Sequence, residues 1–240
     1  MVSLIIPTLN EADSLPKVLR GLSAELKRQY NVEVIVSDGG SVDATLSLAR
    51  SLGARVVEAV PGVPQTIASG RDAGAGVARG DVLLFMDADT YPKSWAELLA
   101  AAVRVMQDSR TVAATMRFGI TPSERRWYDA LWQESYNLLF ALQNYLGFGI
   151  GRGNCQIVQA AIFRAVGGYD SHLAAAEDYD LYRRLRKQGR IRFLWGVVVY
   201  ESPRRFRHYG YVRVSWWWFL NAWSVLLRHR SWSKKWKRVQ

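Results

Sequence analysis

With 240 residues, the chain is long enough for one large α/β domain with an elaborated carboxyl-terminal part. Its net charge of +11 is unevenly spread: residues 1–182 carry 16 Lys and Arg against 20 Asp and Glu, whereas residues 183–240 carry 16 against the single acid Glu201. One cysteine, Cys155, excludes an internal disulfide and, with three scattered histidines, a zinc site; no charged stretch and apolar core precede the first strand, so a cytoplasmic location is expected.

In chain order, the first half alternates apolar runs with amphipathic stretches. Residues 2–6 read as a strand and 14–28 as a helix, with Val18, Leu19, Leu22 and Leu26 at three-to-four spacing. Strands at 32–37, 55–57, 82–86 and 112–117 then alternate with helices at 43–52, 65–78 and 94–107. Such alternation predicts a mostly parallel, Rossmann-like sheet with helices on both faces. Parallel strands share a carboxyl edge, so the turn segments PTLNEADSLP (7–16) and SDGGSVDAT (37–45) are expected beside the end of the strand at 82–86. That strand ends in the tetrad Asp87-Ala88-Asp89-Thr90. Two carboxylates at i and i+2 offer hard oxygen ligands to a divalent cation, which commonly clamps a substrate diphosphate. An Asx-type turn closing the strand would use the same residues.

The second half is rich in aromatics. Residues 124–146 carry Trp127, Tyr128, Leu131, Trp132, Tyr136 and Phe140 at helical spacing. That helix suits an acceptor groove, a membrane surface or ordinary packing. The segment GFGIGRGNC (147–155) comes after a helix rather than a strand and lacks dinucleotide-binding spacing. It reads as a mobile loop beside an acceptor or a flexible connection, with Cys155 a small residue within it.

Four stretches occur in a specific order: IIPTLNEA, VSDGGSVDAT, GRDAGAGVARGDVLLFMDADT, and VGGYD (166–170) with EDYDLYRRLRKQG (177–189) after it. In them the chain resembles the family-2 glycosyltransferases of the GT-A fold over residues 1–190. The resemblance implies inverting, metal-dependent transfer from a nucleoside-diphosphate sugar to a glycan or lipid-linked acceptor. Within the donor site, Asp89 would hold Mn²⁺ or Mg²⁺ directly, with Ala88 in the same turn and Asp87 nearer the ribose, metal or water being its next partner. Pro7, Thr8 and Glu11 match nucleoside-contacting positions, and Asp38 matches the first aspartate of a base-reading pair. Gly39 replaces the second aspartate, which leaves the choice between UDP and GDP open. Arg71 matches an arginine that approaches base or diphosphate; a surface ion pair with Asp72 or Asp81 is its plainer role.

The same resemblance makes Asp178 the general base that takes the acceptor proton. Glu177 and Asp178 open a helix, where the macrodipole favours their charge, and capping is the alternative. Asp180 is expected to pair with Arg183 or Arg184. Arg204 and Arg205 would close over the diphosphate, or form a solvated or headgroup-binding turn. Residues 1–118 then form the nucleotide-sugar half, 119–200 the acceptor and base half of the same domain, and 201–240 a basic, Trp-rich helical segment. Two rivals share these motifs. A polyprenyl-phosphate sugar synthase would attack with a phosphate and scarcely need a base, and a non-enzymatic nucleotide-sugar-binding membrane scaffold would need none.

The apolar run 214–227 is too short for a bilayer that needs about 20 residues. Six basic residues in 228–238, with Trp232 and Trp236 among them, suit an anionic membrane surface on the inner face of the cell membrane. Burial of the tryptophans in the core or in a homodimer interface is the second reading. A nucleic-acid patch is the third; no known reader motif supports it, and no nucleic acid is expected.

Overall fold

The computed structural model describes residues 1–60, 62 and 65–233. Lys234, Lys235, Trp236, Lys237 and Arg238 of the expected membrane-binding tail lie outside the described residues. In chain order, β1 (Val2–Thr8) is followed by α1 (Leu15–Leu19), α2 (Ala24–Gln29), β2 (Val32–Asp38), α3 (Thr45–Ser51), β3 (Arg55–Glu58), α4 (Ile67–Val77), β4 (Val82–Met86), β5 (Thr90–Pro92), α5 (Trp95–Val105) and β6 (Thr111–Ile120). The remainder comprises α6 (Trp127–Tyr145), β7 (Cys155–Gln159), α7 (Ala160–Ala165), α8 (Glu177–Arg186), β8 (Arg190–Glu201), α9 (Arg204–Tyr209) and α10 (Tyr211–Arg228).

The eight strands among the described residues form one sheet in the order β3-β2-β1-β4-β7-β6-β8-β5. Neighbours run parallel except where β7 meets β4 and β6 and where β5 meets β8, so the sheet is mostly parallel as expected. Its two-sided burial follows from strand periodicity. Leu4, Ile6, Leu84 and Met86 enter the core on one face, and Ile5, Leu83 and Phe85 that on the other. The division at residue 118 falls inside β6, and β7 threads the carboxyl-terminal half between two strands of the amino-terminal half.

Three local expectations change. The single helix over 14–28 is two helices, because Gly21 turns the chain with φ 84° and the Ser23 side chain caps α2 by accepting from the Leu26 N–H. The glycine segment 147–155 is tied to its neighbours at two points. Asn144 clasps it, donating to the Ile150 carbonyl at 2.8 Å and accepting from the Ile150 N–H at 2.9 Å. A Cβ on Gly151 would lie 2.3 Å from Tyr182 Cζ, so that glycine serves close packing against α8. Cys155 is the fully buried first residue of β7, and burial pushes its thiol pKa well up.

Helices α6 and α10 pack on each other through Tyr136, Tyr211, Val214 and Trp218. Their other faces are exposed: Leu131, Leu138, Leu142 and Tyr145 on α6, and Val212, Trp216, Phe219, Trp223 and Leu227 on α10. Among the described residues no helix is long and apolar enough to cross a membrane.

Candidate active site

The carboxyl edge of β1, β2 and β4 gathers the predicted donor residues, as shared strand direction requires. Thr8 Oγ1 donates to Asp38 Oδ1 at 3.0 Å, and the Gly39 N–H donates to the Thr8 carbonyl at 2.8 Å. Asp38 Oδ2 accepts from the Gly40 and Ser41 N–H groups at 2.9 and 2.7 Å, and Oδ1 also accepts from Ser41 Oγ. Each oxygen therefore has two protein donors, and the carboxylate is buried. Asp38 is thus the knot of its own loop. The Glu11 backbone ties the first turn to the second, its N–H donating to Thr45 Oγ1 at 2.8 Å, and Pro7 sits opposite Ser37 in the β1–β2 ladder.

Arg71 reaches this edge because α4 lies flat on β1: a Cβ on Gly74 would meet Ile5 Cγ2 at 2.5 Å. Arg71 is 1% exposed. One nitrogen, Nη2, donates to Asp87 Oδ1 at 2.7 Å and to the Gly153 carbonyl at 2.9 Å, while Nη1 donates to Glu177 Oε1 at 3.1 Å. The Tyr169 ring lies 5.4 Å from the guanidinium carbon. The surface ion pairs with Asp72 or Asp81 are not formed, and the buried guanidinium is a hub between Asp87 and Glu177.

The strand-end tetrad is a closed turn, with the Thr90 N–H donating to the Asp87 carbonyl at 3.1 Å. Asp87 has one oxygen committed to Arg71, and burial raises its pKa against the pull of that guanidinium. Asp89 is the open member: its side chain is 35% exposed and Oδ2 receives Arg204 Nη2 at 3.1 Å. Arg204 thus acts as a stand-in cation at the oxygen assigned to the metal. Arg205 lies in the field of Asp89, Glu201 and Asp87, although burial is the larger influence and lowers its pKa. The carboxylates fit Mg²⁺ or Mn²⁺ held by one or two protein oxygens with phosphate and water completing the shell. Among the described residues there is no group of three His, Cys, Asp or Glu that would cage a metal without substrate.

Across Gly153 stands the second acidic pair. Asp178 Oδ2 accepts from the Gly153 N–H and Oδ1 from the Tyr179 N–H, both at 2.8 Å. Burial raises the pKa of both Asp178 and Glu177, and for Glu177 the neighbouring Asp178 charge adds to it. For Asp178 desolvation is the largest influence, and the N–H donors and Arg71 oppose it. Ala176 precedes the pair in the left-handed region with φ 62°, which starts α8 at the angle that presents both acids. Asp180 points elsewhere, with Arg184 Nε at 2.7 Å and Arg183 at 3.7 Å.

A family model described as "Glycosyl transferase family 2" matches residues 3–167. The chain belongs to glycosyltransferase family 2. It is 28% identical to the succinoglycan biosynthesis protein ExoA of Rhizobium meliloti over 203 residues, covering 78% of this chain and 58% of that protein. To the 4,4'-diaponeurosporenoate glycosyltransferase of Staphylococcus haemolyticus it is 39% identical over 92 residues, covering 37% and 24%. The chain thus spans less than two thirds of these relatives. Among solved structures, the mannosyltransferase PcManGT of Pyrobaculum calidifontis, in complex with GDP-Man and Mn²⁺, shares the fold with a TM-score of 0.74 at 20% identity, covering 95% of this chain and 64% of that one. This family-2 glycosyltransferase therefore has the GT-A fold, with aromatic helices α9 and α10 closing its carboxyl-terminal side.

Sequence reasoning missed Gly153 and Tyr169, which hold Asp178 and Arg71, and also Arg152, Asn154 and Gln133. No motif marks these residues; the glycines of 147–155 hinted that the backbone there comes close to something.

Proposed function

We propose that this glycosyltransferase moves a sugar, with inversion, from a UDP- or GDP-linked donor held with Mn²⁺ or Mg²⁺ to a glycan or lipid-linked acceptor at an anionic membrane surface. The observation that carries this reading is Arg71, one buried guanidinium bonded to the donor-side acid Asp87 and to Glu177, the neighbour of Asp178. When bound, the cation would stabilise charge building on the departing diphosphate as a Lewis acid. Asp89 is the residue to hold it, with Asp87 behind, and Arg204 and Arg205 are placed to follow the diphosphate once the cation takes Asp89.

Asp178 takes the acceptor proton. Its two N–H donors fix the carboxylate plane, and a pKa raised by burial makes it a stronger base than a solvated aspartate. Glu177, the carboxylate beside Asp178, is committed to Arg71 and so is not free to act as a nucleophile, which favours direct displacement and inversion. The exposed stripe Trp216-Phe219-Trp223 on α10 supports a membrane-surface acceptor, because indole rings settle at the lipid–water interface.

The test is calorimetric titration of UDP and GDP with and without Mn²⁺, on wild type and Asp178→Asn. Cation-dependent binding by both, with turnover lost only in the variant, supports the reading. Cation-independent binding overturns the metal assignment, and turnover that survives Asp178→Asn points to a phosphate acceptor.

A further inference from the structure

We propose that the buried Arg152–Glu201 pair, joined to Asn154, is a positioning device that sets the shape of the Asp87-Ala88-Asp89-Thr90 turn and through it the affinity for a divalent cation. The proposal rests on the reading that this turn binds a metal–diphosphate.

Glu201, the last residue of β8, is 5% exposed, and Arg152 is 4% exposed. Glu201 Oε1 accepts from Arg152 Nη2 at 2.5 Å and from Gln133 Nε2 at 2.8 Å, while Oε2 accepts from Asn154 Nδ2 at 3.1 Å. Arg152 Nη1 donates to Gln133 Oε1 at 2.9 Å, and its guanidinium carbon lies 4.4 Å from the Phe118 ring centroid and 5.5 Å from that of Trp218. A buried ion pair is a poor source of stability, since apolar side chains of similar volume often serve as well or better. Its retention here calls for a geometric reason.

That reason lies in what the network holds at its two ends. The Asn154 carbonyl accepts the Asp87 N–H at 3.0 Å, anchoring the start of the turn. Glu201 faces Thr90 in the antiparallel β5–β8 ladder, anchoring the end. The side-chain bond from Asn154 to Glu201 links the two anchors, and Asp89 hangs between them. Arg152 and Gln133 fix the Glu201 carboxylate, and Trp218 lays the carboxyl-terminal helix over that assembly. Positioning residues of this kind, behind the direct ligands of a metal, change its affinity by about 10- to 100-fold when removed.

The decisive variant is Arg152→Met with Glu201→Leu, which deletes both charges and leaves neither orphaned. The expected result is a melting temperature close to wild type, amide hydrogen exchange accelerated at Asp87 and Thr90, and a Mn²⁺ concentration for half-maximal UDP or GDP binding raised about tenfold, with kcat at saturating Mn²⁺ little changed. Unchanged exchange and unchanged Mn²⁺ requirement in the folded double variant would overturn the proposal, because a merely structural pair would move neither. Should the double variant fail to fold, Asn154→Ala cuts only the link between anchors. Faster exchange at Asp87 and Thr90 in that variant supports the proposal, and wild-type exchange overturns it. If wild type binds no nucleoside diphosphate with Mn²⁺, the metal reading fails by itself, and the exchange experiment on metal-free protein still decides whether the pair holds the turn.

Discussion

Gly153 donates its N–H to Asp178 at 2.8 Å while its carbonyl accepts from Arg71 at 2.9 Å, so one residue spaces the candidate base from the cation that pairs with Asp87 and Glu177. Asp178→Asn keeps the shape of the side chain but removes the proton acceptor. Turnover should fall about a hundredfold or more while donor binding stays near wild type, as read by steady-state kinetics beside calorimetry.

The pH profile depends on the same geometry. Burial raises the Asp178 pKa, and the base must be ionised to work, so kcat should fall on acidification with a midpoint above that of a solvated aspartate. A profile flat down to the ordinary aspartate range would contradict the assignment.

Asp89→Ala removes the exposed carboxylate of the turn and should abolish Mn²⁺-dependent binding of a nucleoside diphosphate. Calorimetry showing undiminished binding would remove Asp89 from the metal site.

Arg71→Met strips the counter-ion from Asp87 and Glu177 and leaves both carboxylates in a desolvated place. Breaking a buried pair this way destabilises by about 3–5 kcal/mol, so the variant should melt well below wild type. An unchanged melting temperature would mean that the hub carries no structural role.

Asp72 offers a stability test away from the chemistry. Burial raises its pKa from 3.8 to about 6, while the Tyr169 N–H, Arg184 and Arg71 oppose the shift. The folded protein then binds a proton more tightly than the unfolded chain, so this contribution is fully present below pH 3.8 and lost as pH rises through about 6. Asp72→Asn should flatten the fall in melting temperature across that window; an unaltered slope would show that Asp72 titrates normally.

The strand-helix alternation of residues 1–118 was legible because β1 and β4 are buried on both faces and read as unbroken apolar runs. Shared strand direction then put Thr8, Asp38 and Asp87 on one edge. The strands β5, β7 and β8 were not read: β5 has three residues, and β7 begins in a glycine segment whose packing role depends on Tyr182, a residue remote in sequence. For Asp38 and Arg71 the sequence says less, for a common reason. A motif fixes which residue stands at the edge, but whether its polar atoms face a ligand or the protein depends on partners such as Ser41 and Gly153. Truncation after Tyr211, a natural test of a membrane-binding tail, is unsuitable because Val214, Asn221 and Val225 of α10 are buried. Replacing Trp216, Phe219 and Trp223 by serine removes only exposed rings, and should weaken sedimentation with anionic vesicles while preserving the melting temperature.

The central seat of β7 carries a consequence for biosynthesis. Until residues 155–159 have left the ribosome, the flank of β4 and both flanks of β6 have no hydrogen-bonding partner, and the nascent chain holds several unsatisfied strand edges. A fragment ending near residue 118 should therefore be a sticky intermediate and not a free-standing nucleotide-binding module, however complete its motifs. Sheet closure has to wait for a strand made more than 60 residues after β4.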